Sequence, residues 1–154
     1  EGTRQIHVNL RAGAVYSLTG TATGRIFGAF LPQATVKAHL DALAKEERGG
    51  HERIRGDGAE QSFADAVAEV RRRGFAAAEG SPIPGVNAIS APVFDHAGQL
   101  QLAVTVIGPA RAVAIEADGA LTARVLAFAA DLSRRLGYDA GGAAQPFLRV
   151  VSKG

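Results

Sequence analysis

From Gly80 to Pro109 the chain has little freedom to be anything but an antiparallel hairpin. Ser81-Pro82-Ile83-Pro84-Gly85 contains two prolines, each of which removes a backbone donor and fixes φ, so this stretch is neither regular helix nor central strand. Val86 to Phe94 follows as a strand with Pro92 near its end. Asp95-His96-Ala97-Gly98 is turn chemistry. Leu100 to Ile107, Leu-Gln-Leu-Ala-Val-Thr-Val-Ile, is strongly β-forming, and Gly108-Pro109 stops it. Phe75 to Ala78 reads as a short strand ahead of the proline segment, Gln5 to Leu10 alternates as another, and Phe147 to Val151 could add a further short one.

Helices are expected around this sheet. Thr19 to Leu31 reads as a helix with Thr19 as its N-cap. Gly20, Gly24 and Gly28 recur at spacings of four and so line one helix face. Each costs roughly 1 kcal/mol against alanine, so something approaches that face closely. A neighbouring helix or strand is one candidate, and a ligand near the helix start is the other. Val36, Leu40 and Leu43 mark a short amphipathic helix to about Glu47, and Gly49 to Gly58 is a polar loop. Ser62 with Asp65 resembles a capping box, and Phe63, Val67 and Val70 form the apolar stripe of the helix that follows. Arg71, Arg72 and Arg73 in its last turn complement the helix dipole, and Gly74 closes it. The final long helix is expected from Ile115 or Asp118 to Leu136, with Leu121, Val125, Phe128, Leu132 and Leu136 as its apolar stripe. Strands and helices without strict βαβ alternation give an α+β fold with an antiparallel sheet.

Composition narrows the functional classes. The 154 residues fit one domain, and 47% hydrophobic with 21% charged residues is a globular balance. A formal net charge of +2, with acidic residues interspersed among the arginines, is a weak basis for a nucleic-acid groove. There is no cysteine, hence no thiolate chemistry and no disulfide framework, which fits a reducing, cytoplasmic setting. No apolar run reaches the ~18 residues of a membrane span. The chain begins at Glu1 and contains no methionine, so it is expected to be a fragment, a processed product or an incomplete record.

Motifs of catalysis are missing. His7, His39, His51 and His96 do not pair at ligand spacing, so no metal site is expected. There is no nucleophile elbow, and Gly56-Asp57-Gly58 lacks the third glycine and the preceding strand of a dinucleotide fingerprint. No catalytic residue and no cofactor is assigned. No helix has the basic face of a recognition helix, so any DNA-reading module lies outside this sequence.

Two stretches resemble the effector-binding domain of IclR-type transcriptional regulators. The first runs Gly13-Ala-Val-Tyr-Ser-Leu18-Thr-Gly-Thr21-Ala22-Thr-Gly24-Arg25 and continues to Ala29-Phe30-Leu31-Pro32. It is similar to the family's glycine, a leucine five later, Thr-Ala-x-Gly-Lys/Arg and Ala-Phe-Leu-Pro. The second, and more specific, is Gly74-Phe75 through Pro84-Gly85-Val86-Asn87-Ala88-Ile89-Ser90-Ala91-Pro92-Val93-Phe94-Asp95. Ile107-Gly108-Pro109-Ala110 then stands where the family has Ser-Gly-Pro.

The resemblance implies a GAF-like domain: a curved antiparallel sheet flanked by helices, with a pocket between sheet and loops. It implies an effector-binding domain over residues 1–137 and a tail over 138–154, with a winged helix-turn-helix and the domain's first strands upstream in a full-length relative. It implies a homodimer or homotetramer that meets DNA only through that upstream module. Carried over position by position, the pocket comprises Ala22 and Thr23 at a helix start, Val86 and Ala88 on the strand after the Pro-Gly turn, and Thr105 and Ile107 on the facing strand. Ala78 stands where the family has Asp or Ser, Ser81 where it has Glu, and Ile107 where serine is common. The expected effector is therefore an apolar or aromatic organic compound rather than a small keto acid, unless the pocket has collapsed. A partner-binding domain without DNA-binding activity, or a small enzyme on the same fold, are the alternatives.

Overall fold

The computed structural model describes residues 18–47 and 63–139. The expected strands at Gln5–Leu10 and Phe147–Val151, the loop from Gly49 to Gly58 and the cap at Ser62 lie outside these residues.

Four helices and three strands follow in the order α1 (Ala22–Phe30), α2 (Gln33–Glu47), α3 (Phe63–Arg73), β1 (Ala76–Glu79), β2 (Val86–Phe94), β3 (Leu100–Pro109) and α4 (Ala120–Arg135). The strands form one antiparallel sheet in the order β1-β2-β3, an α+β arrangement as expected. The hairpin pairs Val86 with Pro109 at one end and Phe94 with Leu100 at the other, with an irregularity at Val93/Phe94. Its turn is held by Asp95, whose Oδ1 accepts from the amides of Ala97 and Gln99 at 2.9 and 3.0 Å. Gly98 takes φ +71° there, a conformation that costs glycine little. Pro92 is tolerated in the middle strand because pairing with β1 ends two residues earlier, at Ser90.

Alternation divides the sheet into two faces. Ala76, Ala78 and Ala88 look toward α1 and α3, packing with Ala22, Ile26, Ala29, Val67 and Val70. Ile89, Ala91 and Val93 look the other way, toward Val113, Val125 and Ala129 on the α4 side. The sheet is thus the middle of three layers, with an apolar core on each side.

The N-cap of α1 is Thr21 rather than Thr19: its side chain accepts from the Gly24 amide at 2.9 Å, so the cap lies two residues later than expected. Gly20 therefore precedes the helix. Gly28 fulfils the close-approach expectation through a neighbouring helix, since a Cβ there would overlap the Phe63 ring of α3 and lie 3.2 Å from Val67 Cγ2. The arginines ending α3 are used internally: Arg71 Nε donates to Ala29 O at 2.8 Å, while Arg73 pairs with Glu69 at 2.8 Å and lies over the Phe75 ring at 4.4 Å.

α4 corrects the expected stripe. Its buried residues are Thr122, Val125, Ala129 and Ser133, whereas Phe128 is 57% and Leu136 43% exposed. Small residues let the helix lie close on β2, and Leu121, Leu126 and Leu132 close the flanks. The two buried hydroxyls are satisfied locally, Thr122 on Glu116 O at 2.7 Å and Ser133 on Ala129 O at 2.9 Å, so their burial is not penalised. Among the described residues no helix is long and apolar enough to cross a membrane.

Candidate functional site

The positions singled out in the sequence converge on the sheet face under α1. Register places Ala78, Ala88 and Ile107 opposite one another across β1, β2 and β3, as one row. The next row toward the hairpin turn is Ala76, Ser90 and Thr105. Val86 begins β2 beside Pro109. Ala78, Val86 and Ala88 are buried, whereas Ile107, on the outermost strand of the row, remains 37% exposed. Two adjacent alanines leave this row shallow, a floor of methyl groups ending at the isoleucine side chain.

The helix start stands over this floor. Ala22 is buried against Ala76, Ala78 and Ala88, and Thr23 reaches the sheet, where its Oγ1 lies 2.8 Å from Thr105 Oγ1. The first amides of α1 belong to the four that have no intrahelical acceptor; Thr21 takes that of Gly24, leaving those of Ala22 and Thr23 among the rest. The Ser81 hydroxyl donates to Gly20 O at 3.4 Å and ties the proline segment to the turn before α1. Arg25, two residues into the helix from Thr23, donates through an Nη to Ala77 O at 2.9 Å, while its Nε is a buried donor without an acceptor among the described residues.

Two residues of this region were not singled out in the sequence. Ser90 is fully buried, and its Oγ lies 2.8 Å from Thr105 Oγ1, so Ser90, Thr105 and Thr23 form a continuous line of hydroxyls. The period of two that links Val86 to Ala88 reaches Ser90 next, and that signal was available in the sequence. Asn87, on the opposite face, accepts from the Gly80 amide at 3.1 Å and donates to Val113 O at 2.9 Å, fastening both ends of the proline segment to the loop after β3. Nothing in the local sequence pattern marks it.

No candidate position carries a charge. The site offers hydroxyl and amide donors in a largely apolar surround, the kind of lining that small-molecule pockets have. Among the described residues no group of three or more His, Asp or Glu side chains could hold a metal ion.

The sequence model for the C-terminal region of the bacterial transcriptional regulator IclR matches residues 1–134. The chain belongs to the IclR family. That family consists of transcriptional regulators rather than enzymes, and the domain here is its regulatory C-terminal one. Among curated proteins, the chain is 26% identical over 138 residues to the uncharacterized HTH-type transcriptional regulator RhmR of Escherichia coli K12, covering 90% of this chain and 52% of that protein. Among solved structures, Pseudomonas aeruginosa HmgR superposes with TM-score 0.69 at 36% identity, over 90% of this chain and 52% of that one. Thermotoga maritima IclR superposes with TM-score 0.64 at 26% identity, over 90% and 54%. The chain thus spans about half the length of these IclR relatives.

Proposed function

We propose that this chain is the effector-sensing and oligomerising domain of an IclR-type DNA-binding regulator, working in the cytoplasm. The observation that carries the reading is the convergence of Ala22, Thr23, Ala78, Val86, Ala88, Thr105 and Ile107, drawn from four separate elements, on one sheet face around a line of hydroxyls. The sensing domain occupies residues 1–137, with 138–154 as its tail. DNA is met through a winged helix-turn-helix outside this chain, and two or four copies assemble.

The effector is an apolar or aromatic compound with one polar group. Its ring packs against Ile107 at the exposed end of the Ala78–Ala88–Ile107 row, and its polar group meets Thr105 or Thr23. Regulation follows from differential affinity: an effector that prefers one placement of α1 over the sheet shifts the population toward it. A thermal-shift screen against aromatic acids, keto acids and their analogues tests this. A ligand at 100 times its Kd stabilises the folded state by about 2.7 kcal/mol. A hit abolished by Thr105→Leu supports the site. Tight binding of a small dicarboxylate, untouched by Thr105→Leu, refutes it.

The direct Thr23–Thr105 bond favours a second reading, in which α1 sits closed on the sheet and the domain serves assembly alone. A folded chain that yields no hit across the library selects that reading.

A further inference from the structure

α4 packs on β2 and β3 through one side, and its other side carries an apolar stripe of its own. Leu121, Phe128, Leu132 and Leu136 recur at intervals of seven, four and four residues, so they share one flank of the helix. Leu121 and Leu132 help to close the core beneath, whereas Phe128 and Leu136 stand out to solvent, and Phe128 is the most exposed large apolar side chain described. Beside Phe128 lie Ala120 and Ala127, both exposed and too small to hold a second helix away.

A single exposed aromatic residue is unremarkable on a protein surface, but the charges around this one are ordered. Glu116 and Asp118 sit in the turn before the helix, Arg124 and Asp131 flank Phe128, and Arg134 and Arg135 fill the last turn. These three acids and three bases cancel, yet they leave the start of α4 negative and its end positive. Asp131 is shared between Arg134 and Arg135, at 2.8 Å from each, so one cation at that end is uncompensated. Glu116, Asp118 and Arg124 are exposed and make no ion pair among the described residues. A surface polarised in this way complements itself when a second copy is laid on it in reverse, and repels itself when the copy runs parallel.

We propose that this face of α4 is where two copies of the chain meet, their helices antiparallel and crossing at Phe128 on a two-fold axis. The two Phe128 rings pack on each other at the axis. Arg124 then lies level with Leu132 of the second copy, one position from its Asp131. Arg135 lies level with Leu121 of the second copy, about 4.5 Å along the axis from its Asp118 and within reach of an arginine side chain. The inference rests on the reading that copies of this domain assemble, and it adds the surface through which they do so. That surface is across the sheet from Thr23 and Thr105, so partner and effector occupy opposite faces.

Sedimentation equilibrium and single-thiol cross-linking of the 154-residue chain test the proposal. The wild-type chain is expected to dimerise. Phe128→Asp, which acts twice in a two-fold interface, is expected to raise the dimer Kd at least about 25-fold. Arg124→Glu alters an exposed side chain and leaves the core alone, so it keeps the test open if Phe128→Asp fails to fold. It is expected to weaken the dimer about fivefold in dilute buffer and much less at about 0.5 M salt. The chain has no cysteine, so Phe128→Cys and Arg135→Cys each introduce one thiol. Oxidation is expected to join two copies through Phe128→Cys and not through Arg135→Cys, whose two thiols lie roughly 20 Å apart in the antiparallel pair. A dimer whose Kd is unchanged in either folded variant, or that cross-links through Arg135→Cys in place of Phe128→Cys, overturns the inference alone, because the copies then meet elsewhere. A wild-type chain that stays monomeric at every concentration overturns the reading that this domain assembles, and the inference with it.

Discussion

Substituting Gly28 by alanine sets two effects of known size against each other. In the middle of α1 the glycine costs about 1 kcal/mol relative to alanine, so on propensity alone Gly28→Ala is stabilising by that amount. The structure opposes it. The new Cβ overlaps the tip of the Phe63 ring outright and presses on Val67 Cγ2 at 3.2 Å. Phe63 is the first residue of α3 and half-buried, so its ring can swing aside, but only by leaving the core it helps to cover. Overpacking of this kind costs about 1–3 kcal/mol, which leaves Gly28→Ala net destabilising by about 0–2 kcal/mol. Phe63→Ala removes the obstacle, and Val67 then has to give by only a few tenths of an ångström. In that background Gly28→Ala is expected to change sign and stabilise by up to about 1 kcal/mol. Urea titrations of the four proteins at constant m measure the cycle, with an expected coupling of about 1–3 kcal/mol. An equal effect of Gly28→Ala in both backgrounds refutes the claim that α3 approaches α1 through this glycine.

Thr21→Ala removes the hydroxyl that accepts from the Gly24 amide and is expected to cost about 0.5–2 kcal/mol in thermal or urea unfolding, with Thr21→Ser recovering most of it. Asp95 is held below the ordinary carboxylate range, chiefly by the Gln99 amide and further by the Ala97 amide and the Gln101 side chain. A carboxylate depressed in the folded state stabilises it above the unfolded pKa, near 4, and that contribution is lost as pH falls through the lower folded value. Asp95→Asn is accordingly expected to lower stability at neutral pH and to flatten the acid limb of the stability-versus-pH curve below about pH 4, so that the variant and the wild type converge in acid.

The hairpin was legible because three independent signals agree: a strongly β-forming run at Leu100 to Ile107, a turn with Asp95 and Gly98, and the Pro82 and Pro84 segment that bars regular structure just before Val86. In the arginine run at the end of α3, Arg73 pairs with Glu69 one turn back, whereas the contact of Arg71 with Ala29 O is a tertiary fact that no local pattern encodes. α4 was misread because a stripe of large apolar residues is a guide to burial only when size is what the interface needs. Against β2 it needs closeness, so Ala129 and the self-satisfied Thr122 and Ser133 go inward and Phe128 stays out. The α1 cap was misplaced for a different reason. Thr19 and Thr21 are chemically alike, and which of them meets an amide depends on where the turn before the helix ends. The candidate residues themselves came from a family resemblance, and only the register shows that Ala78, Ala88 and Ile107 stand in one row.

α1 is short, roughly 13 Å at the usual rise per residue, and it is fastened at three points to three different elements. Thr23 holds it to β3, Arg25 holds it to the backbone of β1, and its last turn accepts the Arg71 side chain from α3. A rod so brief cannot bend to absorb a displacement at one end. Whatever lifts Thr23 off the sheet must therefore pull on Arg71 as well, and α1 behaves as a lever whose far arm is the end of a different helix.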